Sequence, residues 1–548
     1  MYSSASLTFT SALLHVSCRA VGKSLDLGTT DVLTSVPDTF ELCQTSLEPA
    51  EALQKAKKLF KVIAKDPGQS EVVSAITSSI RADEDQCFFV HGPAGTGKST
   101  IANYITFSVL AAEKTVLNLA TTGQAALQLP FGATAHSVCK IPISDEDVLT
   151  CTLGMNSDGA RKLAAASVLQ WDEWPNAKRS AWDSVLALLE QIKQQHPQLW
   201  KSKVIICYGD FRQIPPVLKG GTRDSIVNNS VCKSSSWARF ISYGLAVHHR
   251  QQEDREYAAW IERIGDGTIS ARHCLSGEPG YISLDLCGCL YSEAATINFC
   301  FDALNDPHSC ATKKILCPTN AAVDAFNTLV LDKLTKVYLL AEFIKHSADS
   351  IEYDHGHTNI ESHMTAEFLH LQNENGVPPH ALRLVVGALY QLVRNFSAAD
   401  RLMNHTHVIL RAVHANHLLI ETLDGRCFPL PRICFRWPLA RGTTNIIRRQ
   451  YPLRLAYAST FNGAQGSTLI RCVLDSRTSP FTHGHLYVAL SRVQDRHSIR
   501  VLTSLERCTD AGIALTKNIV WKELLLLRQD TQNHGRLSRQ CRKRPAAN

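Results

Sequence analysis

Through the first half of the chain, short unbroken apolar runs alternate with stretches whose apolar residues recur at helical spacing. Cys87 to Val90, Thr115 to Ala120, Ser167 to Asp172 and Lys203 to Tyr208 are of the first kind and predict buried strands. Glu48 to Val62, Glu71 to Ile80, Ile101 to Leu110, Arg179 to Gln194 and Tyr257 to Ile264 are of the second kind and predict helices. Strand alternating with helix argues a parallel α/β sheet covered on both faces. A second α/β unit is expected from Lys313 to Cys317 (strand) and Ala321 to Leu334 (helix). It resumes with Leu453 to Tyr457, Leu469 to Asp475, a helix from His483 to Arg492, and Ile499 to Leu502. Between these parts the pattern shortens to β-like runs, Arg383 to Val386, His407 to Val413 and Leu418 to Leu423, with turns at Asp424-Gly425 and Pro429 to Pro431. That predicts a small β-barrel inserted in the second unit. The expected division is an N-terminal extension (1–64), a first α/β domain (65–270), a second (271–375 and 439–525) interrupted by the barrel (376–438), and a basic tail (526–548).

Composition narrows the class only a little. The 548 residues are 45% hydrophobic, as in a globular protein, and no apolar run approaches the ~20 residues that span a bilayer. Net charge is +7, from 57 Lys+Arg against 50 Asp+Glu, which is compatible with nucleic acid and equally with an ordinary protein. The 18 cysteines fall largely in apolar strands (Cys87, Cys207, Cys317, Cys472) and read as reduced thiols inside a cell. Met1 to Leu25 is a thin match to a mitochondrial transit peptide, and the basic stretch Arg536 to Arg544 fits a solvated end or a nuclear signal.

The chemistry is concentrated in FFVHGPAGTGKST, Phe88 to Thr100. Gly92, Gly97, Lys98 and Ser99 fit G-x-x-x-x-G-K-[ST] between a predicted strand and a predicted helix. Backbone N–H groups of Gly92, Pro93-preceded Ala94, Gly95, Thr96, Gly97, Lys98, Ser99 and Thr100 are placed to surround phosphate oxygens, with the helix start adding positive charge. Lys98 would reach the β- and γ-phosphates of a bound nucleotide and Ser99 would hold Mg²⁺. Asp172-Glu173, at the end of a strand, supply a metal-holding acid and a candidate proton acceptor for the attacking water. Gln213, in GDFRQIPPV, is placed to sense the γ-phosphate, and Gln69, ahead of a helix, carries the donor and acceptor that an adenine edge needs. A flexible Gly-rich turn and a surface Gln are the bland alternatives.

Taken in order, these strings resemble the Pif (petite integration frequency) family of superfamily-one DNA helicases, related to RecD, and most of all the copies carried by Helitron transposons. The resemblance runs from about Asp66 to Leu502. It rests on GPAGTGKS, WDEWP (Trp171 to Pro175), GDFRQIPPV (Gly209 to Val217), AAWIERIGDG (Ala258 to Gly267), CPTNAAVDAFN (Cys317 to Asn327), RRQYPLRLAYASTFNGAQGSTL (Arg448 to Leu469) and HGHLYVALSRV (His483 to Val493). It implies two RecA-like domains of the P-loop NTPase class with ATP and Mg²⁺ in the cleft between them. Lys98, Ser99, Asp172, Glu173 and Gln213 would line one side. Arg492 would be an arginine finger from the other, Arg250 a further γ-phosphate contact, and Gln465 and Gly466 a coupling element. Gln69 resembles the family's adenine-reading glutamine. The expected activity is ATP-driven 5′ to 3′ movement on single-stranded DNA, as a monomer acting at forks or duplexes, in recombination, repair or telomere maintenance. The expected place is the nucleus, or alternatively the mitochondrion, and no membrane partner is expected.

The chain departs from the family pattern at Gly463-Ala464, where Lys-Ser is usual, at Asn404-His405-Thr406-His407, and at Trp174, where a small residue is usual. His355-Gly356-His357 and His483-Gly484-His485 lack the apolar spacer of a paired-histidine nuclease, so no nuclease is expected. Phe131, Phe211 and Phe461 are candidates to stack on bases. The competing expectations are a DNA-stimulated ATPase, or nucleotide-dependent DNA-binding protein, that has lost unwinding, and a signalling or transport NTPase.

Overall fold

In a computed structural model, the structure describes residues 47–144, 146–353, 365–397, 400–439 and 444–525. His355-Gly356-His357, the first 46 residues and the basic tail lie outside them.

The alternating pattern of the first half folds as six parallel strands. Their spatial order is Ala133–Thr134, Val116–Ala120, Val168–Asp172, Val204–Gly209, Gln86–His91 and Phe240–Gly244. The four central strands are apolar on both faces because helices cover both, so every residue from Val116 to Ala120 and from Val168 to Asp172 is buried. The strand Phe240–Gly244 is not legible from periodicity; it sits at the sheet edge and is only half-buried. The helix Pro67–Arg81 starts where Asp66 accepts from the backbone N–H of Gly68 and Gln69, with Pro67 at its first position. That cap sets Gln69 at the helix mouth, facing the next loop.

Trp174 follows Glu173 in a one-turn 3₁₀ segment and is fully buried. Its ring meets Trp182 edge-on at 5.1 Å, Phe89 at 5.6 Å, Trp237 at 5.7 Å and Phe240 at 4.7 Å. The large side chain is thus absorbed by an aromatic core under the strand ends, whose members supply the space a small residue would leave empty.

The second parallel sheet has the order Ala458–Thr460, Lys313–Cys317, Arg471–Asp475, Ile499–Leu502 and Gly288–Leu290. The apolar run Leu453 to Tyr457 is not one strand of it. Leu453–Leu455 pairs antiparallel with Leu389–Leu392, and the parallel strand starts at Ala458. The inserted β-rich part is a meander of Cys427–Pro431, His417–Thr422, His407–Val413, Leu389–Leu392 and Leu453–Leu455, and no pairing among the described residues closes it on itself. Two smaller sheets flank it: Glu342–His346 with Ala381–Val385, and Ala348–Tyr353 with Thr444–Gln450 and Ile433–Pro438. The unusual Asn404-His405-Thr406-His407 turn is formed: the His405 N–H donates to Leu392 O at 2.8 Å, and the Thr406 hydroxyl donates to Arg401 O at 3.0 Å. Arg401 and His405 hold left-handed backbone there, at φ 60 and 71°. The tip reaches the first domain, where Arg401 donates to Leu127 O at 2.8 Å and Met403 joins the apolar core. No helix among the described residues is long and apolar enough to cross a membrane.

Candidate nucleotide site at the seam of the two sheets

The Gly-rich loop leaves the strand Gln86–His91 and enters the helix Lys98–Ala111. Gly95 and Gly97 sit at φ 84 and 86°, and a Cβ on them would fall 2.4 Å from Arg250 Cβ and 2.4 Å from Gln69 Nε2, respectively. Only glycine permits both that backbone and that closeness. Thr96 is buried and its hydroxyl donates to Pro93 O, while Ser99 and Thr100 lie half-exposed on the first helical turn. Lys98 folds back to donate to Gly92 O at 2.7 Å and Pro93 O at 2.9 Å. Burial lowers its pKa, against the pull of Asp210, Glu173 and Asp172.

Asp172 ends the strand Val168–Asp172 and Glu173 follows in left-handed backbone, φ 52°. Both are buried, and the Glu173 N–H donates to Asp172 Oδ1 at 2.8 Å. Burial, then the neighbouring Asp172 charge, pushes Glu173 up to about 7, while Lys98 and Arg492 pull it back. Burial also raises Asp172. Two acids this close and this dry are under-neutralised, which is the donor chemistry that suits a divalent cation held with the Ser99 hydroxyl.

Asp210, the second residue of the GDFRQ turn, is a candidate site residue that the sequence reading passed over in favour of Gln213. Burial pushes its carboxyl up, yet Arg212, Lys98 and the Tyr487 hydroxyl together hold it below its usual value. Tyr487, from the LYVALSR string, donates to Asp210 Oδ2 at 2.6 Å and accepts from the Ala94 N–H at 3.3 Å. One phenol from the second domain therefore touches both the phosphate loop and the acid behind it. Gly484 makes this crossing close: a Cβ there would lie 2.5 Å from Arg212 O.

The other second-domain residues named from the sequence lie on the same seam. Gln465 donates to Gln213 Oε1 at 2.8 Å. Gly466, at φ 81°, accepts from Gln128 at 2.6 Å through its carbonyl and lies beside Glu173. Arg492 is fully buried and donates to Val488 O at 2.7 Å, Ser467 O at 3.2 Å and Ser491 Oγ at 2.8 Å. Its guanidinium is thus held by its own domain; burial lowers its pKa, and the Glu173 charge opposes that most strongly. Arg250 crosses the seam the other way, donating to Ser491 O at 2.9 Å and Thr468 Oγ1 at 2.8 Å; burial, then Arg492, lowers it to about 10. Gln69 donates to Thr96 O at 3.1 Å, and its amide nitrogen lies 2.8 Å from His249 Nε2. Its Oε1 is buried without a partner, an open acceptor suited to an exocyclic amine. His249, also 3.0 Å from Asp66, is a second group here that the sequence reading did not single out. Of the three aromatic candidates for base stacking, Phe211 and Phe461 are core residues; Phe131 is 43% exposed.

Residues 65–274, which contain the phosphate loop, the acid pair and Arg250, match the family model described as PIF1-like helicase. The chain carries a PIF1-like helicase domain. The relatives that match extend over both sheets. The ATP-dependent DNA helicase PIF1 of Danio rerio is 25% identical over 488 residues, covering 85% of this chain and 65% of its own length. The Homo sapiens protein of the same name is 26% identical over 500 residues, covering 86% and 67%. The chain thus spans about two-thirds of the length of these relatives. Among solved structures, the Pif1 helicase of Bacteroides in complex with ADP-AlF3 and single-stranded DNA superposes with TM-score 0.59, at 22% identity, over 85% of this chain and 97% of its own. The Pif1 helicase of Candida albicans gives 0.58 at 20% identity, over 86% and 99%. The α/β core is therefore the RecA-like fold of Pif1 structures, and the PIF1-like domain contributes the phosphate-loop side of the seam.

Proposed function

We propose that this chain is an ATP-dependent DNA helicase that moves 5′ to 3′ on single-stranded DNA, with ATP and Mg²⁺ bound at the seam. The observation that supports it best is the convergence on Glu173: Lys98 acts on its charge from the first domain, Arg492 from the second. A site assembled from two sheets can report nucleotide state as relative domain movement, which a site within one sheet cannot.

Bound Mg²⁺ would supply charge neutralisation across the phosphates. Ser99 and Asp172 are the residues to hold it. Lys98 exchanges its two backbone carbonyl partners for phosphate oxygens, and Glu173 accepts a proton from water in its ionised form. Arg250 and Arg492 add positive charge from the closing side; an arginine in that role is worth ~10³–10⁵ in rate. Gln213, tied to Gln465, passes the change to the strand Ala458–Thr460 and the turn after it. Separating a base pair costs about 1.4 kcal/mol of stacking on average, so a step of one or a few bases lies within reach of one hydrolysis event. The expected substrates are single strands, forks and duplexes with a 5′ overhang, and the expected settings are recombination, repair or telomere maintenance in the nucleus or mitochondrion. Monomeric action and kinship with Helitron-borne copies belong to the same proposal.

The test is ATP hydrolysis with and without single-stranded DNA, together with strand separation on 5′- and 3′-tailed duplexes. Wild type is expected to show DNA-stimulated hydrolysis and separation from the 5′ tail only. Lys98→Ala is expected to abolish both. Wild type without either activity, across salt and tail types, would overturn the reading. A DNA-stimulated ATPase without unwinding is the second reading, and Gly463 supports it, since the family's cation is missing from the turn that follows Ala458–Thr460.

A further inference from the structure

The end of the seam beside Gln69 holds contacts that the phosphate chemistry does not use. Gln69 is only 2% exposed, so its amide depends on partners within the protein. The amide nitrogen donates to Thr96 O at 3.1 Å and lies 2.8 Å from His249 Nε2. An amide nitrogen has two protons and no free lone pair, so in the second contact Gln69 donates and His249 accepts. Both N–H groups of Gln69 are therefore spent inside the protein. What is left is Oε1, buried and without a partner.

The surroundings decide which way the amide faces. Thr96 O is a backbone carbonyl and can only accept, so it holds the amide nitrogen on its side. With the amide turned over, the His249 ring could donate to it. Thr96 O would then lose its donor and meet the amide oxygen at 3.1 Å, and the nitrogen would take the buried position that has no partner. His249 Nε2 also lies 3.0 Å from Asp66 Oδ2, and one ring nitrogen cannot accept from Gln69 and donate to Asp66 at once. Asp66 in turn caps the helix that carries Gln69: its Oδ1 accepts from the backbone N–H of Gly68 at 2.9 Å and of Gln69 at 3.3 Å. Helix start, amide and imidazole thus form one network, and the ring is the point where its hydrogen-bond direction is chosen. The other ring nitrogen, Nδ1, lies 3.1 Å from the side-chain amide of Gln252, which is exposed and free to present either end. The backbone fixes the ring in place, since the His249 N–H donates to Gly95 O at 2.9 Å within the phosphate loop. The next residue is Arg250, which crosses the seam to Ser491 O and Thr468 Oγ1.

On the reading that ATP binds at the seam, we propose that His249 is a positioning residue for Gln69. It occupies the second amide N–H, so the base is recognised through its exocyclic amine alone and N7 goes unread. A carboxamide with a free edge meets adenine with two bonds, its oxygen to the 6-amine and its N–H to N7. Here the oxygen alone is on offer. A 6-amino group relieves that orphaned acceptor, whereas a 6-keto oxygen sets a second acceptor against it, a difference of roughly 5–150-fold in affinity.

The test uses the purified full chain with Mg²⁺ and the displacement of fluorescent N-methylanthraniloyl-ADP by three competitors. They are ADP, IDP (an oxygen in place of the 6-amine) and 7-deaza-ADP (a C–H in place of N7). Wild type is expected to bind IDP roughly 5–150-fold more weakly than ADP, and 7-deaza-ADP within about twofold of ADP. His249→Ala frees an N–H, so 7-deaza-ADP should then fall behind ADP by about 2–12-fold, the worth of one neutral hydrogen bond. His249→Gln keeps an acceptor within reach of Gln69 and should restore equal binding of the two. A merely structural role for His249 would weaken all three competitors alike. The wild-type ranking needs no variant, and so decides even where a variant does not fold. IDP binding as tightly as ADP, 7-deaza-ADP about tenfold weaker on wild type, or an unchanged ranking in folded His249→Ala would each overturn the proposal and leave ATP binding in place. A chain that binds neither the fluorescent probe nor any competitor would overturn the ATP reading, and this assignment with it.

Discussion

At the scale of single residues, the seam is a set of charges held away from their ordinary protonation. Glu173 is the sharpest case, because burial and Asp172 push it up to about 7. A base must be ionised to accept a proton, and a raised pKa means the ionised fraction grows as pH rises through that value. kcat/KM for ATP is therefore expected to climb from pH 6 to 8 with an apparent pKa near 7 in the free enzyme, measured by steady-state hydrolysis. Glu173→Gln should lower kcat by ~10²–10⁴ and remove that limb of the profile. An unchanged limb in the variant would assign the titration to another group. Lys98 and Glu173 were legible in the sequence because a Gly-rich phosphate loop, and acids at a strand end, are local patterns. Asp210, Tyr487 and His249 were not, since their roles come from contacts with residues far along the chain.

At the scale of elements, two packing devices brace the site. The first is the aromatic cluster around Trp174 beneath the acid pair. Trp174→Ala should cost about 3–5 kcal/mol, since the cavity left by a fully buried indole cannot collapse among rigid rings. The readout is an earlier urea transition in tryptophan fluorescence; a variant as stable as wild type would show that the cluster repacks. The second is the short helix His485–Leu490, pressed on the first domain by Gly484 and latched by Tyr487. Tyr487→Phe keeps the ring and removes only the hydroxyl that joins Ala94 to Asp210. A hydrogen bond to a charged group is worth about 1.5–3 kcal/mol, so kcat/KM for ATP should fall by roughly 10–100-fold with little change in unfolding midpoint. An equal loss of stability and activity would mean that the tyrosine serves the fold rather than the seam.

At the scale of the whole molecule, the question is whether closure at the seam reaches the DNA. Gly463 lies on the turn between the Ala458–Thr460 strand and Gln465, the residue that grips Gln213. A Cβ at Gly463 would come within 2.6 Å of Ser459 Oγ, a hydroxyl at the end of a short side chain that can rotate aside. Gly463→Lys is accordingly expected to fold if Ser459 Oγ turns aside, and would restore a cation next to the coupling turn. It is expected to strengthen single-strand binding and steepen its log–log salt dependence by about 0.7 per added phosphate contact. It should also raise the number of base pairs opened per ATP. Tighter binding with no gain in unwinding would locate the defect elsewhere, the Arg401–His405 tip on Leu127 being the next interdomain contact to change.

What the linear chain determined by itself is everything that a short window can encode. Apolar runs on both faces specify strands of a doubly covered sheet, and a Gly-rich loop between strand and helix specifies a phosphate cradle. Tertiary structure alone decided which charges meet. The run Leu453 to Tyr457 is apolar throughout, and only pairing partners divide it between an antiparallel strand and a parallel sheet. Trp174 looks misplaced until Phe89, Trp182, Trp237 and Phe240 surround it. The pairing of Tyr487 with Asp210, and of Gln69 with His249 beside Asp66, spans segments whose separation in sequence carries no signal. Such contacts depend on how two sheets and an insertion pack, and packing is set by shape complementarity across the assembled fold rather than by local propensity.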